Sequence, residues 1–245
     1  MIAHLIDKIT ERNNIVQLLQ LDKESSKELF DAALKVKMDN VGSTVHFRGL
    51  IEHSNVCAKD CLYCGIRKSN SRVERYTISD KEVLEAAKFA YENNYGSIVI
   101  QAGEIISNRF TDQITKLVKQ IKELSDGNLG ITLSLGEQSY TTYKAWFEAG
   151  AHRYLLRIEA SRKELYDKIH PVNQLHAYDK RIKALKDLKD IGYQTGTGVM
   201  IGLPFQSHDD LADDLLFMKS FGIHMVGMGP YIEHEDTPLY AYRDK

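Results

Sequence analysis

The 245-residue sequence has no long apolar run, no excess of either charge sign and few cysteines. Its apolar stretches, such as SIVI and GVMIGLP, fall far short of the roughly 18 residues that a membrane span needs. The N-terminus, MIAHLIDKITERNN, carries acidic residues early and lacks the apolar core of a signal peptide. A net charge of −2 without a polybasic run gives no sign of a nucleic-acid or membrane partner. These absences favour a cytoplasmic protein.

The chain also lacks an internal repeat, a low-complexity tract and a Gly/Ser linker. Apolar residues recur at helical spacing up to about residue 40, in LIDKITERNNIVQLL and SKELFDAALKVK. Strand-like and helix-like segments alternate after that point. We therefore predict an N-terminal helical segment over residues 1–42, followed by a single core domain over residues 43–245.

The alternation predicts an α/β fold with six βα units. The six strand candidates are TVHFRGLIEHSN, SIVIQAG, GITLSLG, HRYLLRIE, YQTGTGVMIGLP and IHMVGMGP. Such alternation predicts a parallel sheet, and we interpret it as a TIM-like βα barrel, closed or partly closed, preceded by the N-terminal helices. An open doubly wound sheet is the alternative, but no Gly-rich phosphate-binding sequence follows the first strand. In a barrel the functional residues collect at the C-terminal ends of the strands, where QAGE, SLGE and RIEAS lie.

All three cysteines, Cys57, Cys61 and Cys64, lie within eight positions of the loop after the first predicted strand. In a reducing compartment, thiols so close together are more often metal ligands than disulfide partners. A zinc site with His53 as fourth ligand is one interpretation, although structural zinc sites usually pair their ligands across two segments. The other is a 4Fe–4S cluster held by three thiolates, which leaves one iron open to a substrate.

The C-x3-C-x2-C spacing, with Tyr63 before the third cysteine, resembles the motif of radical S-adenosylmethionine enzymes. Within that superfamily, FRGLIEHSNVCAKDCLYCGIRKSN, HRYLLRIEAS, GYQTGTGVMIGLP and MVGMGPYIEHEDTPL resemble the HydE family of FeFe-hydrogenase maturases. The resemblance runs from about residue 40 to residue 240. It implies a 4Fe–4S cluster with three cysteine ligands and S-adenosylmethionine, which is cleaved to a 5′-deoxyadenosyl radical.

The resemblance also implies the residues that bind the cofactor. Glu104 matches a family position that helps to hold the methionyl ammonium, Glu159 one that contacts the ribose or ammonium, and Arg181 one that pairs with the carboxylate. A strand-end turn at QAGE and a solvated arginine on a helix are the alternatives. The full set of cofactor-binding candidates is Tyr63, Gln101, Gly103, Glu104, Ser134, Glu159, Arg181, Met200 and Gly202.

By the same resemblance, Arg48, Thr132, Arg153 and Met225 line the substrate cavity; structurally paired arginines are the alternative. The implied substrate is a small organometallic or amino-acid-derived compound. The implied partners are the other hydrogenase maturases and an electron donor such as ferredoxin or flavodoxin. A biotin-synthase-like or methylornithine-synthase-like enzyme is the second interpretation, and a non-catalytic iron–sulfur or zinc scaffold is the third.

The sequence departs from the family at its end. Six predicted βα units use up the chain, whereas the resemblance implies eight. We therefore expect either a partial chain or a short form with one open side of the barrel.

Overall fold

The structure is a computed structural model that describes residues 2–243. Three helices come first: α1 (Ala3–Asp7), α2 (Arg12–Leu19) and α3 (Ser26–Val41). The remaining helices are α4 (Asp80–Glu92), α5 (Asn108–Leu124), α6 (Tyr140–Glu148), α7 (Lys163–Ile169), α8 (Tyr178–Ile191) and α9 (His208–Phe221). In this part of the chain no helix is both long enough and apolar enough to cross a membrane.

Strands alternate with these helices. They are β1 (Arg48–Ser54), β2 (Ser97–Ala102), β3 (Gly130–Ser134), β4 (Arg153–Leu155), β5 (Gln194–Thr197), β6 (Met200–Ile201), β7 (Met225–Val226) and β8 (Gly229–Pro230). Two short 3-10 helices, Gln174–His176 and Pro238–Tyr242, complete the regular structure.

Six strands form one parallel sheet in the order β1-β2-β3-β4-β5-β7, and β6 pairs separately with β8. This sequential order is the winding of a barrel, because a doubly wound sheet reverses its strand order at a switch point. The predicted α/β fold with six parallel strands and N-terminal helices is thus confirmed. The division at residue 42 stays a prediction.

The two edge strands of the sheet, β1 and β7, approach each other at their N-terminal ends. The guanidinium of Arg48, the first residue of β1, lies 3.7 Å from the sulfur of Met225, the first residue of β7. The two strands do not pair within residues 2–243. The sheet is therefore curved like a barrel and open along one side.

The core lies between the sheet and the outer helices. Ile98 and Ile100 of β2 are fully buried against this layer, while the alternate residue Gln101 is exposed on the other face. Helix α5 supplies a buried stripe of Ile114, Leu117, Val118 and Ile121 at helical spacing. The apolar residues of the helices thus fix which face of each strand turns to the inner side of the barrel.

Three strands differ in extent from the prediction: HRYLLRIE is reduced to β4, IHMVGMGP divides into β7 of the main sheet and β8 of the small sheet, and YQTGTGVMIGLP divides as well. YQTGTGVMIGLP is not continuous, because β5 ends at Thr197 and β6 begins at Met200 in the separate small sheet. Between them Val199 forms an isolated bridge with Glu159. The break places the second half of this segment beside the end of β4.

Candidate active site

The three cysteines lie on the loop between β1 and α4, and all three are free thiols. Burial raises the pKa of Cys61 to about 12 and also raises the pKa of Cys64, and the neighbouring thiols add to both effects. Three thiolates so placed need positive charge to be stable, and bound iron supplies it because coordination deprotonates a thiol. The donor set therefore fits an iron–sulfur cluster.

The arrangement does not favour a single metal ion. Among residues 2–243 no group of three His, Cys, Asp or Glu side chains is arranged to hold one ion. A cluster does not require this convergence, because each thiolate binds a different iron. His53, the predicted fourth zinc ligand, is 1% exposed and stacks on Phe110 in the core.

The end of β2 packs directly against the first cysteine. The backbone N–H of Glu104 donates to the sulfur of Cys57 (3.2 Å), and its carbonyl accepts from the N–H of Ala58 (2.8 Å). Gly103 makes this contact possible, since a Cβ there would lie 2.3 Å from the carbonyl oxygen of Val56. The sequence QAGE therefore serves as a backbone support for the cysteine loop.

The side chain of Glu104 is turned towards other protein groups. One carboxylate oxygen accepts the backbone N–H of Glu137 (2.8 Å), and the other lies 3.4 Å from the ammonium of Lys59. Burial outweighs Lys59, and with the negative charge of Glu137 it raises the pKa of Glu104. Gly136 leaves room for this carboxylate, because its φ is +74° and a Cβ there would lie 2.5 Å from the Glu104 oxygen.

Arg181 is buried near the cysteines, with only 7% of its surface exposed. Its charge lowers the pKa of Cys61 against the larger effect of burial, which indicates that the two side chains are close. Its Nε donates to Glu137 (2.5 Å) and its Nη1 donates to the carbonyl of Arg157 (2.5 Å). The alternative of a solvated helix arginine is therefore wrong.

Glu159 follows β4 and has an unsatisfied buried oxygen. Its Oε1 accepts from the Nε of Arg157 (2.9 Å), but its Oε2 has no hydrogen-bond partner in the described chain. Burial raises the pKa of Glu159 although Arg157 opposes the effect. The backbone has a left-handed φ of +66° and is held on both sides, by bonds to Gly198 and Met200. A buried carboxylate oxygen without a partner fits a ligand that brings a hydrogen-bond donor.

Tyr63 lies against a histidine that stays neutral. The Nδ1 of His170 donates to the carbonyl of Tyr166 (2.9 Å), which leaves its Nε2 to accept from the hydroxyl of Tyr63 (3.4 Å). Burial lowers the pKa of His170 to about 3. The aromatic residue of the cysteine motif is thereby fixed by the segment after α7.

The other cofactor candidates lie around the same mouth of the barrel. Gln101 and Ser134 are register partners on β2 and β3, and both lie in the C-terminal halves of these strands. Met200 begins β6, and its carbonyl accepts from the side chain of Gln206. Gly202, with a φ of +84°, donates its N–H to the same side chain (2.7 Å). Their role in cofactor binding stays a prediction.

The predicted substrate residues form two separate pairs. Thr132 and Arg153 are register partners on β3 and β4, while Arg48 and Met225 meet across the open side. Arg48, Arg153 and Met225 each begin their strand, so they lie at the end opposite to the cysteine loop. Thr132 is 2% exposed, and its hydroxyl has no hydrogen-bond partner among the described residues.

Three residues of the site, Lys59, Glu137 and Arg157, were not among the predicted candidates. Glu137 ends SLGE on the third strand, which repeats the Gly-Glu of QAGE on the second, and this repetition could have identified it. No pattern singles out Lys59, whereas Arg157 begins RIEAS, one of the strand-end sequences. Their importance comes from contacts between segments that are distant in sequence.

Comparison with known proteins agrees with this geometry. The model of the Radical SAM superfamily matches residues 51–218. The chain therefore belongs to the radical SAM superfamily, whose enzymes use a 4Fe–4S cluster and S-adenosylmethionine, and the predicted resemblance is confirmed.

Three individual proteins are similar to most of this chain. The chain is 44% identical over 218 residues to the [FeFe] hydrogenase maturase subunit HydE of Thermotoga maritima, a match that covers 89% of this chain and 61% of that protein. It is 27% identical to a biotin synthase of Magnetococcus marinus over 88% of this chain and 69% of that one. The crystal structure of methylornithine synthase superposes with a TM-score of 0.87 at 26% identity and covers 98% of this chain and 72% of that one. The chain thus spans less than two thirds of the HydE relative.

Proposed function

We propose that this chain is a radical S-adenosylmethionine enzyme of the HydE type, which acts in the assembly of the FeFe-hydrogenase cofactor. The observation that carries the proposal is the placement of three free thiols at one mouth of the barrel, with the buried guanidinium of Arg181 near Cys61. The 44% identity to HydE supports this branch over the biotin synthases, at 27%.

In this proposal the residues have distinct roles. Cys57, Cys61 and Cys64 hold the cluster. Arg181 pairs with the carboxylate of S-adenosylmethionine, because a guanidinium suits that group, and the free oxygen of Glu159 accepts from its ammonium or ribose. When bound, the cluster supplies the electron that cleaves S-adenosylmethionine to the 5′-deoxyadenosyl radical.

The partners and the location belong to the same proposal. The substrate is a small organometallic or amino-acid-derived species supplied by another hydrogenase maturase, and a ferredoxin or flavodoxin donates the electron. Three reduced thiols are suited to the cytoplasm, where disulfides are rare.

Anaerobic reconstitution tests the enzyme class. We expect about four iron and four sulfide per chain and, with dithionite and S-adenosylmethionine, formation of 5′-deoxyadenosine measured by chromatography. Replacing any one of Cys57, Cys61 and Cys64 with alanine should abolish both. Tight binding of one zinc without visible absorption would contradict the proposal.

Complementation tests the HydE branch. A chimera of this chain with the C-terminal region of Thermotoga maritima HydE, expressed in a strain that lacks HydE, should restore hydrogenase activity, and its Cys64→Ala variant should not. Conversion of dethiobiotin to biotin by the reconstituted chain would favour the biotin-synthase alternative instead.

A further inference from the structure

A buried ion network lies behind the cysteine loop. It consists of Lys59, Glu104, Glu137 and Arg181, which are 3, 4, 1 and 7% exposed. Two cations and two carboxylates make it formally neutral. Charges so deeply buried are tolerated only when they are paired and hydrogen-bonded, so the geometry of each member depends on the others.

Glu137 joins the two cations of this network. Its Oε1 accepts from Arg181 (2.5 Å) on helix α8, and its Oε2 accepts from Lys59 (3.0 Å) between the first two cysteines. Although burial opposes ionisation, the two cations hold the pKa of Glu137 below its ordinary value. One carboxylate therefore connects α8 to the loop that carries the cysteines.

The hydrogen bonds of Lys59 and Arg181 indicate different roles for these two cations. An ammonium has three donors, and those of Lys59 face Glu137, the carbonyl of Leu175 and Glu104. Lys59 donates two hydrogen bonds, to Glu137 and Leu175, and its third contact is an ion pair with Oε1 of Glu104 (3.4 Å), an oxygen that accepts no hydrogen bond within residues 2–243. Arg181 uses Nε and Nη1, whereas its Nη2 has no hydrogen bond within residues 2–243.

We propose that Glu137 is a positioning residue, which fixes the guanidinium of Arg181 against the cysteine loop so that Nη2 meets the carboxylate of S-adenosylmethionine. This inference rests on the proposed function, since it assumes that Arg181 binds the cofactor. A guanidinium is a planar fork, and it recognises a carboxylate only in a defined orientation. Through Glu137, that orientation is set relative to the cysteines that hold the cluster.

The first test is the variant Glu137→Gln, in which the side chain keeps its shape and loses its negative charge. We expect the reconstituted variant to retain the iron content of the wild type. Its dissociation constant for S-adenosylmethionine, measured by anaerobic calorimetry, should rise at least about tenfold, as is usual when a supporting partner is lost. The change in the EPR spectrum of the reduced cluster on adding S-adenosylmethionine should be diminished. Glu148→Gln, on the exposed face of α6, is the matched control and should change none of these.

A double-mutant cycle tests whether Glu137 acts through Arg181. In an Arg181→Gln background, Glu137→Gln should weaken cofactor binding no further, because the group that it orients is gone. A purely structural role would instead add its effect in both backgrounds.

The double variant Lys59→Met/Glu137→Gln provides a second test in case Glu137→Gln alone does not fold. It removes one charge of each sign, so Arg181 and Glu104 remain as a neutral pair. We expect this variant to fold and still to bind S-adenosylmethionine about tenfold more weakly than the wild type.

Three outcomes would overturn the inference. The first is a wild-type dissociation constant in folded Glu137→Gln, and the second is a full further loss in the Arg181→Gln background. The third is an unchanged constant in Arg181→Gln itself. A wild-type chain that holds a cluster but binds no S-adenosylmethionine would refute the proposed function as well.

Discussion

Single residues at the mouth of the barrel carry unusual conformational and electrostatic costs. Glu159 combines a left-handed backbone with a buried oxygen that has no partner. Each feature is unfavourable by about 1–3 kcal/mol in a free chain. Such costs are typical of residues selected for a ligand rather than for stability.

We expect Glu159→Gln to weaken binding of the cofactor while leaving the stability of the fold largely unchanged. Cofactor affinity should fall about 10- to 100-fold, because a hydrogen bond to a charged group is worth about 1.5–3 kcal/mol. The melting temperature of the free chain should stay within a few degrees of the wild type, since the substitution also removes a buried charge. Calorimetry and thermal unfolding measure the two quantities, with the exposed Glu164→Gln as control. Equal affinity in both variants would exclude contact of Glu159 with the cofactor.

Gly103 permits a close approach of backbone segments. We expect Gly103→Ala to lower the free energy of unfolding by about 1–3 kcal/mol, because the new methyl must displace Val56 and the Cβ of Cys57. The iron content after reconstitution should fall as well. Gly96→Ala is the control, since a Cβ there meets nothing within 4 Å. Urea unfolding and iron analysis distinguish the variants, and similar values for both would contradict a packing role.

How much of the site the sequence predicts depends on the kind of contact. Spacing alone singles out the cysteines, because all three lie within one short loop. The contact between Glu137 and Lys59 could not be predicted in this way. They meet across 78 residues of sequence, and only the curved sheet brings them together.

At the scale of helices and strands, local sequence signals predict where an element begins better than where it ends. Ser79 and Glu82 form a capping box at the start of α4, a signal that depends on neighbouring residues only. The extent of the fifth strand depends on pairing partners far away, and β6 leaves the main sheet to pair with β8. The hydrophobic periodicity of a single segment does not show with which distant strand that segment pairs.

The segment of residues 170–177 contains two histidines that are neutral when folded. The Nε2 of His176 accepts the N–H of Asp60 (2.8 Å), while its Nδ1 donates to Asn173 (2.8 Å). A proton on Nε2 would break the first bond. Burial, and next the charge of Lys59, lower the pKa of His176 to about 4.

This arrangement predicts a loss of stability in acid. Unfolded histidine has a pKa of about 6.5, so the unfolded state binds more protons below that pH and stability falls. Between pH 7 and pH 5 the wild type should lose about 2 kcal/mol more than His176→Gln. Urea unfolding at both pH values measures it. Glu104 and Glu159, whose raised pKa values act in the opposite direction, are common to both proteins and cancel in the comparison. Parallel pH profiles would contradict the prediction.

At the scale of the whole molecule, the open side between β1 and β7 is the feature with the largest consequence. Leu50 on β1 and Val226 on β7 are 57 and 54% exposed. Parallel sheets are normally covered on both faces, and unpaired edges bind water or another strand. Within residues 2–243 this side of the sheet is not closed by strand pairing.

Because of this open side, we expect cleavage of S-adenosylmethionine that is not coupled to conversion of a substrate. A primary carbon radical survives only where C–H and S–H hydrogen donors from solution are excluded, because it takes a hydrogen atom from them to give 5′-deoxyadenosine. We expect the 245-residue chain, reconstituted and reduced without substrate, to form 5′-deoxyadenosine faster than a chimera that carries the C-terminal region of Thermotoga maritima HydE. Both proteins should bind S-adenosylmethionine with similar affinity, because the cysteine loop, Arg181 and Glu159 are the same in both. Equal rates of 5′-deoxyadenosine formation at equal cluster content would show that the open side does not expose the radical.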